Sequence, residues 1–519
     1  MRDTESVDPL SQPTNHDSDC DDDDDDHQEF RGVTAAMVQK VQSTELEADR
    51  KKSNVDPNET TLTLKERLNE YIKAAPAFIK AYVQVFCIYL GFLSLYWGSI
   101  YRRNERYANV KYLVVNQDEG FERNGNIIEP FLGNAMADML LQNKTIVQLG
   151  NFDFVNTTSF LELAASHNNT ALEEVERQIH HMKYWGGIYI APNSTQQIYD
   201  SFYTANGTFM TSGAINSTIT TVYSTGRHFS ALSQYLFRNL DAVGQAWVRF
   251  YVAPKVYQPI LNQLNSTQKQ NLLSSNETVP ILTTFPSFSF LDIRPASSPA
   301  LLGPSEVALI YSLLMSFYAY NFSIEIFAYM RKHVKYRSYL FYKFLISQLN
   351  AFLLALVYGL MTLAFRVSTS ITFGKSGFLV LWMIIYLYIS GLSAVNEFVV
   401  SIILAYDKKP LIAPWIIFLI VSQISPTFAP FVLSPGFYRY GYGMPMYNAY
   451  EAIKVVFFNT WKGTMGRNIG VLVIWLVVGN VALLFSGHWA TKRARRLARE
   501  EKLKKKAERE KEKEKEAST

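Results

Sequence analysis

The chain has 519 residues, 48% of them hydrophobic and 18% charged, with a net charge of +4 and two cysteines. Its apolar residues are gathered into long uncharged runs, which excludes a simple soluble enzyme, and Cys20 and Cys87 cannot staple a disulfide-rich secreted module. The ends are oppositely charged: residues 1–77 hold 19 acidic and 9 basic side chains, residues 491–519 hold 13 basic and 7 acidic ones.

Residues 1–76 are read as an acidic cytosolic tail. The tail includes the run Asp21 to Asp26 and is too polar to offset the entropy of ordering, so disorder is predicted. A helix needs about 20 mostly apolar residues to cross the hydrocarbon layer. Six runs meet that length, at 77–101, 305–329, 344–365, 378–403, 411–434 and 469–490. The first follows a long polar segment and reads as an uncleaved signal anchor.

Orientation follows from basic residues beside short loops. Arg331, Lys332, Lys335, Arg337 and Lys343, then Lys408 and Lys409, then Lys492, Arg493, Arg495 and Arg496 all belong on the cytoplasmic side. That puts both termini inside. Arg102, Arg103 and Arg106 then fall outside, against the rule.

Residues 104–304, between spans one and two, are therefore expected to be an extracytoplasmic domain. Eight N-x-S/T sequons lie there, at Asn143, Asn156, Asn168, Asn193, Asn206, Asn216, Asn265 and Asn276, and predict glycosylation. A ninth, at Asn321, falls inside a predicted span and should stay bare. With no cysteine, this domain needs an ordinary apolar core. Strands are predicted at Lys111–Val115 and Gly187–Ala191, an extended segment at 145–155, and a turn at Asp118-Glu119-Gly120. Helical spacing covers 127–141, 161–182 and 229–262, the last interrupted near Pro254. The class expected is a polytopic α-helical membrane protein, with six transmembrane helices and a large mixed α/β extracytoplasmic domain between helices 1 and 2. Residues 305–490 form its five-helix transmembrane part. Residues 491–519 form a charged cytosolic tail, basic enough at its start to lie on anionic lipid.

No catalytic constellation is found. Gly374-Lys375-Ser376 ends like a phosphate-binding loop, but Thr369 stands where its first glycine belongs. His180 and His181 are adjacent, so a helix would point them about 100° apart, and no metal or cofactor is expected. Charge at the bilayer centre costs about 2.5–3.5 kcal/mol or more, so carboxylates inside spans ask for a reason. Glu325 in span two, with Asn396 and Glu397 in span four, make a candidate polar path. Gln348, Asn350, Gln423 and Asn480 add polar interior groups, and interhelical hydrogen bonding is the alternative role for all of them. Pro426 and Pro430 predict a kink in span five.

The loop at 435–467 is dense in tyrosine and glycine. Tyr438, Tyr440, Tyr442 and Tyr447 interleave with Gly436, Gly441 and Gly443, as in an aromatic belt at headgroup level. Tyr447–Phe458 then has the period of an amphipathic helix on or in the outer leaflet.

The stretch Tyr438-Arg439-Tyr440-Gly441-Tyr442-Gly443-Met444-Pro445, with Asn468, Gly470 and Trp475, resembles the fungal nitrosoguanidine-resistance protein family. Val114-Val115-Asn116-Gln117-Asp118-Glu119-Gly120 resembles the opening of the same domain in bacterial phage-infection proteins and in membrane subunits of type-2 ABC exporters. The resemblance covers about residues 70–490. It implies a plasma-membrane protein linked to resistance against toxic small molecules, with no catalytic residues to carry over. A permease-like role is the first reading, by export or by a change in membrane lipid state. A non-transporting sensor or scaffold is the alternative, and an enzyme is disfavoured. Expected partners are membrane lipid, a small toxic or lipid-like substrate and further copies of the chain in a homo-oligomer, with no nucleic acid.

Overall fold

The computed structural model describes residues 64–319, 324–406, 408–485, 489 and 496. The acidic tail up to residue 63, the rest of the charged tail and the Asn321 sequon lie outside the described residues.

Among the described residues six helices are long and apolar enough to cross a membrane: Tyr71–Ile100, Pro299–Tyr318, Arg337–Ala364, Ser370–Ala405, Lys409–Thr427 and Lys462–Phe485. They overlap the six apolar runs, each beginning earlier than its run, and three of them also differ as follows. The first is part of a longer helix, Leu64–Ile100, that begins well before the apolar run. Span two is helical to Tyr318, and beyond residues 320–323, which lie outside the described residues, the helix Ile324–His333 carries Glu325. Span five ends at Thr427 instead of kinking through to residue 434. Proline explains that ending. Pro426 has no N–H for the Ser422 carbonyl four residues back, and the Tyr440 hydroxyl donates to that carbonyl instead at 3.0 Å.

Span four is the hub of the bundle and packs against spans two and three. Span one reaches the other helices through span five and keeps most of its side chains exposed. The tyrosine loop, a 3-10 turn at Gly436–Gly443, clamps these two spans together. Tyr438 donates to the Leu95 carbonyl at 2.6 Å and Ser434 to that of Ser99 at 3.2 Å. A Cβ on Gly98 would stand 2.5 Å from the Tyr438 hydroxyl, so the clamp needs glycine there. These rings thus bind span carbonyls, where the sequence suggests a simple aromatic belt.

Between spans one and two stands a domain built on a five-stranded sheet, with strands in the order β4-β1-β5-β6-β7. The strands are β1 Lys111–Asn116, β4 Asn151–Phe154, β5 Gly186–Ile190, β6 Ile219–Tyr223 and β7 Phe288–Asp292. All pairings are parallel except β5 with β6. A separate hairpin, β2 Phe121–Arg123 and β3 Asn126–Ile128, closes through Asn124-Gly125, both at positive φ as a tight primed turn requires. Strand β1 is buried on both faces. Tyr112 and Val114 enter the larger core, while Leu113 and Val115 enter a smaller one beneath the helix Ala171–His180.

Several predicted elements shift. The helix expected from 127 starts at Phe131, after β3 and Pro130. The extended segment at 145–155 is a short helix followed by β4. The helix expected over 161–182 is two helices, Thr157–Ser166 and Ala171–His180. The second restarts at Thr170, whose side chain and that of Glu173 form a reciprocal cap. The long helix does run over 229–263. Pro254 sits in a widened π segment, Trp247–Tyr257, that absorbs the missing donor without a break.

Candidate functional site

Two polar centres stand out, one inside the bundle and one where the bundle meets the α/β domain. In the bundle, Glu397 is 7% exposed and pairs with Lys343 of span three, which is itself 18% exposed. The lysine that flanks a basic loop in the sequence therefore lies about two turns inside its helix, Tyr336–Ala364. Gln348 is the second node: its Oε1 accepts from Tyr386 at 2.9 Å and from Ser390 at 2.6 Å, and its Nε2 donates to Asn480 at 3.3 Å. Ser347, Asn350, Ser393 and Glu397 join these residues around a gap of about 10 Å³, roughly the space of one water.

Asn396 faces another way. It donates to Ser316 of span two at 3.2 Å and accepts from Trp415 of span five at 3.2 Å. The residues proposed as a path are thus divided. Asn396 and Glu397 are buried on neighbouring faces of span four, while Glu325 is exposed on the helix after span two. Phe327 of that helix does lie near the pair, with Lys343 Nζ 5.7 Å from its ring centroid.

The second centre is built on the helix Pro445–Phe458, hereafter the joint helix. Twelve of its 14 residues are buried, and it packs against spans four and five. It is therefore not a helix lying on the outer leaflet, as its period suggests, because the α/β domain covers the face that lipid would wet. Its C-terminal carbonyls receive the domain directly: the Asn459 oxygen accepts from Arg294 at 2.9 Å and bonds His180 at 3.0 Å. His181 stacks on Trp461. The adjacent histidines thus dock the domain on the joint, and among the described residues no cluster of His, Cys, Asp or Glu could hold a metal.

Further along, Lys454 is 2% exposed, donating to the Arg227 carbonyl at 2.6 Å and to Glu451 at 2.7 Å. Burial lowers its pKa, and Glu451 opposes the shift. Burial also drives Arg227 down to about 9 and His228 down to about 3, so His228 is neutral at physiological pH. Lys454 and Arg103 add to the His228 shift by repulsion. Glu306, at the head of span two, links three parts of the molecule. It accepts the backbone N–H and the hydroxyl of Ser230 and, at 3.3 Å, the hydroxyl of Tyr450. Arg103, just after the C-terminal end of span one, is 8% exposed and lies 4.6 Å over the Tyr235 ring. Its neighbour Arg106 donates to the Tyr101 and Arg102 carbonyls, capping the end of that helix.

Between joint and bundle lies a cavity of about 320 Å³. Met182, Trp185, Arg227 and His228 of the domain form one side of it. The others are the end of span five, Tyr442, the joint helix at Tyr447, Glu451 and Lys454, and Thr464 and Arg467 at the start of span six. Sequence reasoning missed Arg227, His228, Glu306 and Lys454. They come from three separate stretches of the chain, and the one available signal was a charged residue beside an apolar run at Glu306 and at Lys454.

Seven of the eight sequon asparagines are exposed, and Asn143 is half-buried. Asn156, Asn206 and Asn265 use Oδ1 to cap the backbone ahead of them, which leaves the amide nitrogen, the atom a glycan would occupy, unused by the cap. Asn143 differs: its nitrogen donates to Tyr251 at 3.1 Å. Asp118, in the resemblance motif, is structural, accepting from Gly133 N and from Thr195 N and Oγ1 to tie β1 to two helices.

Six spans around a polar interior, joined through a buried helix to a sheet domain, define a multi-pass helical membrane protein. The chain belongs to the DUF3533 family, described as a protein of unknown function, whose model matches residues 81–481. Both polar centres fall within that range. The chain is 25% identical over 408 residues, 78% of each protein, to an uncharacterized endoplasmic reticulum membrane protein of Saccharomyces cerevisiae. No solved structure matches it.

Proposed function

We propose that this chain is a permease-like membrane protein that protects the cell from toxic small molecules, by export or by altering membrane lipid state, as in the nitrosoguanidine-resistance proteins it resembles. The Lys343–Glu397 pair carries this reading. An ion pair between two spans, beside a water-sized gap and a web of amides and hydroxyls, is the arrangement a polar substrate or a proton needs at membrane depth. Uptake and efflux of a labelled nitroso compound test it, in cells expressing wild type and Glu397→Gln at matched levels. Faster efflux from wild type alone supports transport through that carboxylate. A resistance difference without any flux difference removes the permease reading.

A sensor or scaffold is the second reading, and the joint favours it, since one buried helix couples the α/β domain to the bundle. Such a protein would tolerate Glu397→Gln. We place the chain at the plasma membrane with both termini cytoplasmic and the α/β domain outside and glycosylated. N-glycosidase treatment should then shift gel mobility by several glycans. Asn143→Gln should change the shift least among the eight sequons, because its nitrogen is engaged. No shift at all would overturn the topology, and imaging confined to the endoplasmic reticulum would overturn the location.

A further inference from the structure

We propose that the joint cavity binds a phosphate-bearing anion, with a phospholipid headgroup from the adjoining leaflet as the occupant its position favours. The proposal goes beyond the permease reading and stands whether or not the chain transports anything.

The argument begins with charge. Three cations line the cavity, Arg227, Lys454 and Arg467, against one carboxylate, Glu451. Lys454 and Glu451 neutralise each other at 2.7 Å. The two guanidinium groups remain, and neither is ion-paired among the described residues. Arg227 spends donors on the Tyr184 and Met182 carbonyls and lies 3.8 Å over the Trp185 ring. Arg467 donates to Asn468 and lies 5.3 Å over the Tyr442 ring. Each is held by an aromatic face and neutral acceptors, which orient a guanidinium without cancelling its charge. Burying positive charge without an ion pair is costly, and burial lowers the Arg227 pKa although nearby Glu451 opposes the shift.

Chemistry and size then choose the ligand. A planar guanidinium presents parallel donors that match phosphate oxygens. The Thr427, Tyr442, Tyr447 and Thr464 side chains line the same space. A volume of about 320 Å³ lies at the small end of ligand sites, which run from about 300 Å³ upward, and suits a headgroup better than a large drug. Its wall includes the end of span five and the start of span six, so it sits where helices leave the hydrocarbon and lipid headgroups lie.

The test uses the purified full-length protein in neutral detergent, with thermal unfolding and Trp185 quenching as readouts. Phosphatidic acid, phosphatidylcholine and inorganic phosphate are titrated separately. Phosphatidic acid should raise the unfolding midpoint saturably, and Arg467→Gln should weaken its apparent affinity about tenfold, the scale of one lost charge-assisted bond. Arg467 is exposed, so this variant folds even if Arg227→Gln does not. Saturable binding of phosphate as tight as that of phosphatidic acid, lost in Arg467→Gln, would keep the anion site and assign it to a soluble ligand. Equal effects of phosphatidylcholine and phosphatidic acid, or binding indifferent to Arg467→Gln, would overturn the proposal. Glu397→Gln should bind normally, so failure of this site and failure of the transport path are separable.

Discussion

The two buried lysine–carboxylate pairs answer the same electrostatic problem differently. Lys343 and Glu397 come from different spans, so their attraction is spent on holding two helices in register. Lys454 and Glu451 are one turn apart on the same helix, and their pairing needs no tertiary organisation. Lys454 gains a tertiary role only by also donating to the Arg227 carbonyl. The bundle pair therefore closes its charge balance across an interface, while the joint pair leaves two arginines without an ion pair among the described residues beside a cavity. A neutral, interlocked polar layer suits something that opens and closes; an open positive excess suits something that binds.

Breaking each pair separates these roles. Lys454→Met should have the largest effect, about 3–5 kcal/mol of lost stability, since it strands Glu451 and removes a donor from the Arg227 carbonyl. Thermal unfolding in detergent would read this, and Glu451→Leu added to it should restore much of the loss. Lys343→Met should cost less, because the lysine keeps 18% exposure, and a double-mutant cycle with Glu397→Gln should give a coupling of about 0.5–3 kcal/mol. A coupling near zero would mean that the pair does not hold spans three and four together.

Acid should probe the joint through His228. Burial holds His228 near 3 while an unfolded histidine titrates at 6.5. Above pH 6.5 both states are neutral and the group contributes nothing to pH dependence. As pH falls toward 3 the unfolded state takes up a proton that the folded state refuses, so stability declines by up to about 1.4 kcal/mol per pH unit. By pH 5 the loss attributable to this group should approach about 2 kcal/mol. His228→Asn should flatten that slope, and an unchanged slope would show that His228 is not buried. The smallest effect expected is in the α/β domain, where Thr170→Ala removes one helix cap at a cost of about 1 kcal/mol and leaves both polar centres untouched.

The sequence carried the membrane plan. Six long apolar runs are local facts, because each helix meets its own hydrocarbon and satisfies its own backbone whatever its neighbours do. Strands β1 and β5 were legible for a similar reason, their continuous apolar character. Strands β6 and β7 were not: Ile219–Tyr223 is rich in threonine, and its burial comes from pairing with β5 and β7. Asn396 and Glu397 were visible as polar residues in an apolar run. The partner Lys343 was misread as a loop residue, since nothing local tells a lysine at a helix end from one that folds inward.

The joint lay beyond sequence reasoning altogether. The period of residues 447–458 is the same whether lipid or protein covers the apolar face. Only the arrival of Arg227, His228, Arg294 and Glu306, all well over a hundred residues earlier in the chain, decides that protein does. Hydrophobic periodicity is written residue by residue into a helix. The electrostatic environment of a buried charge is a sum over neighbours that only the folded chain assembles.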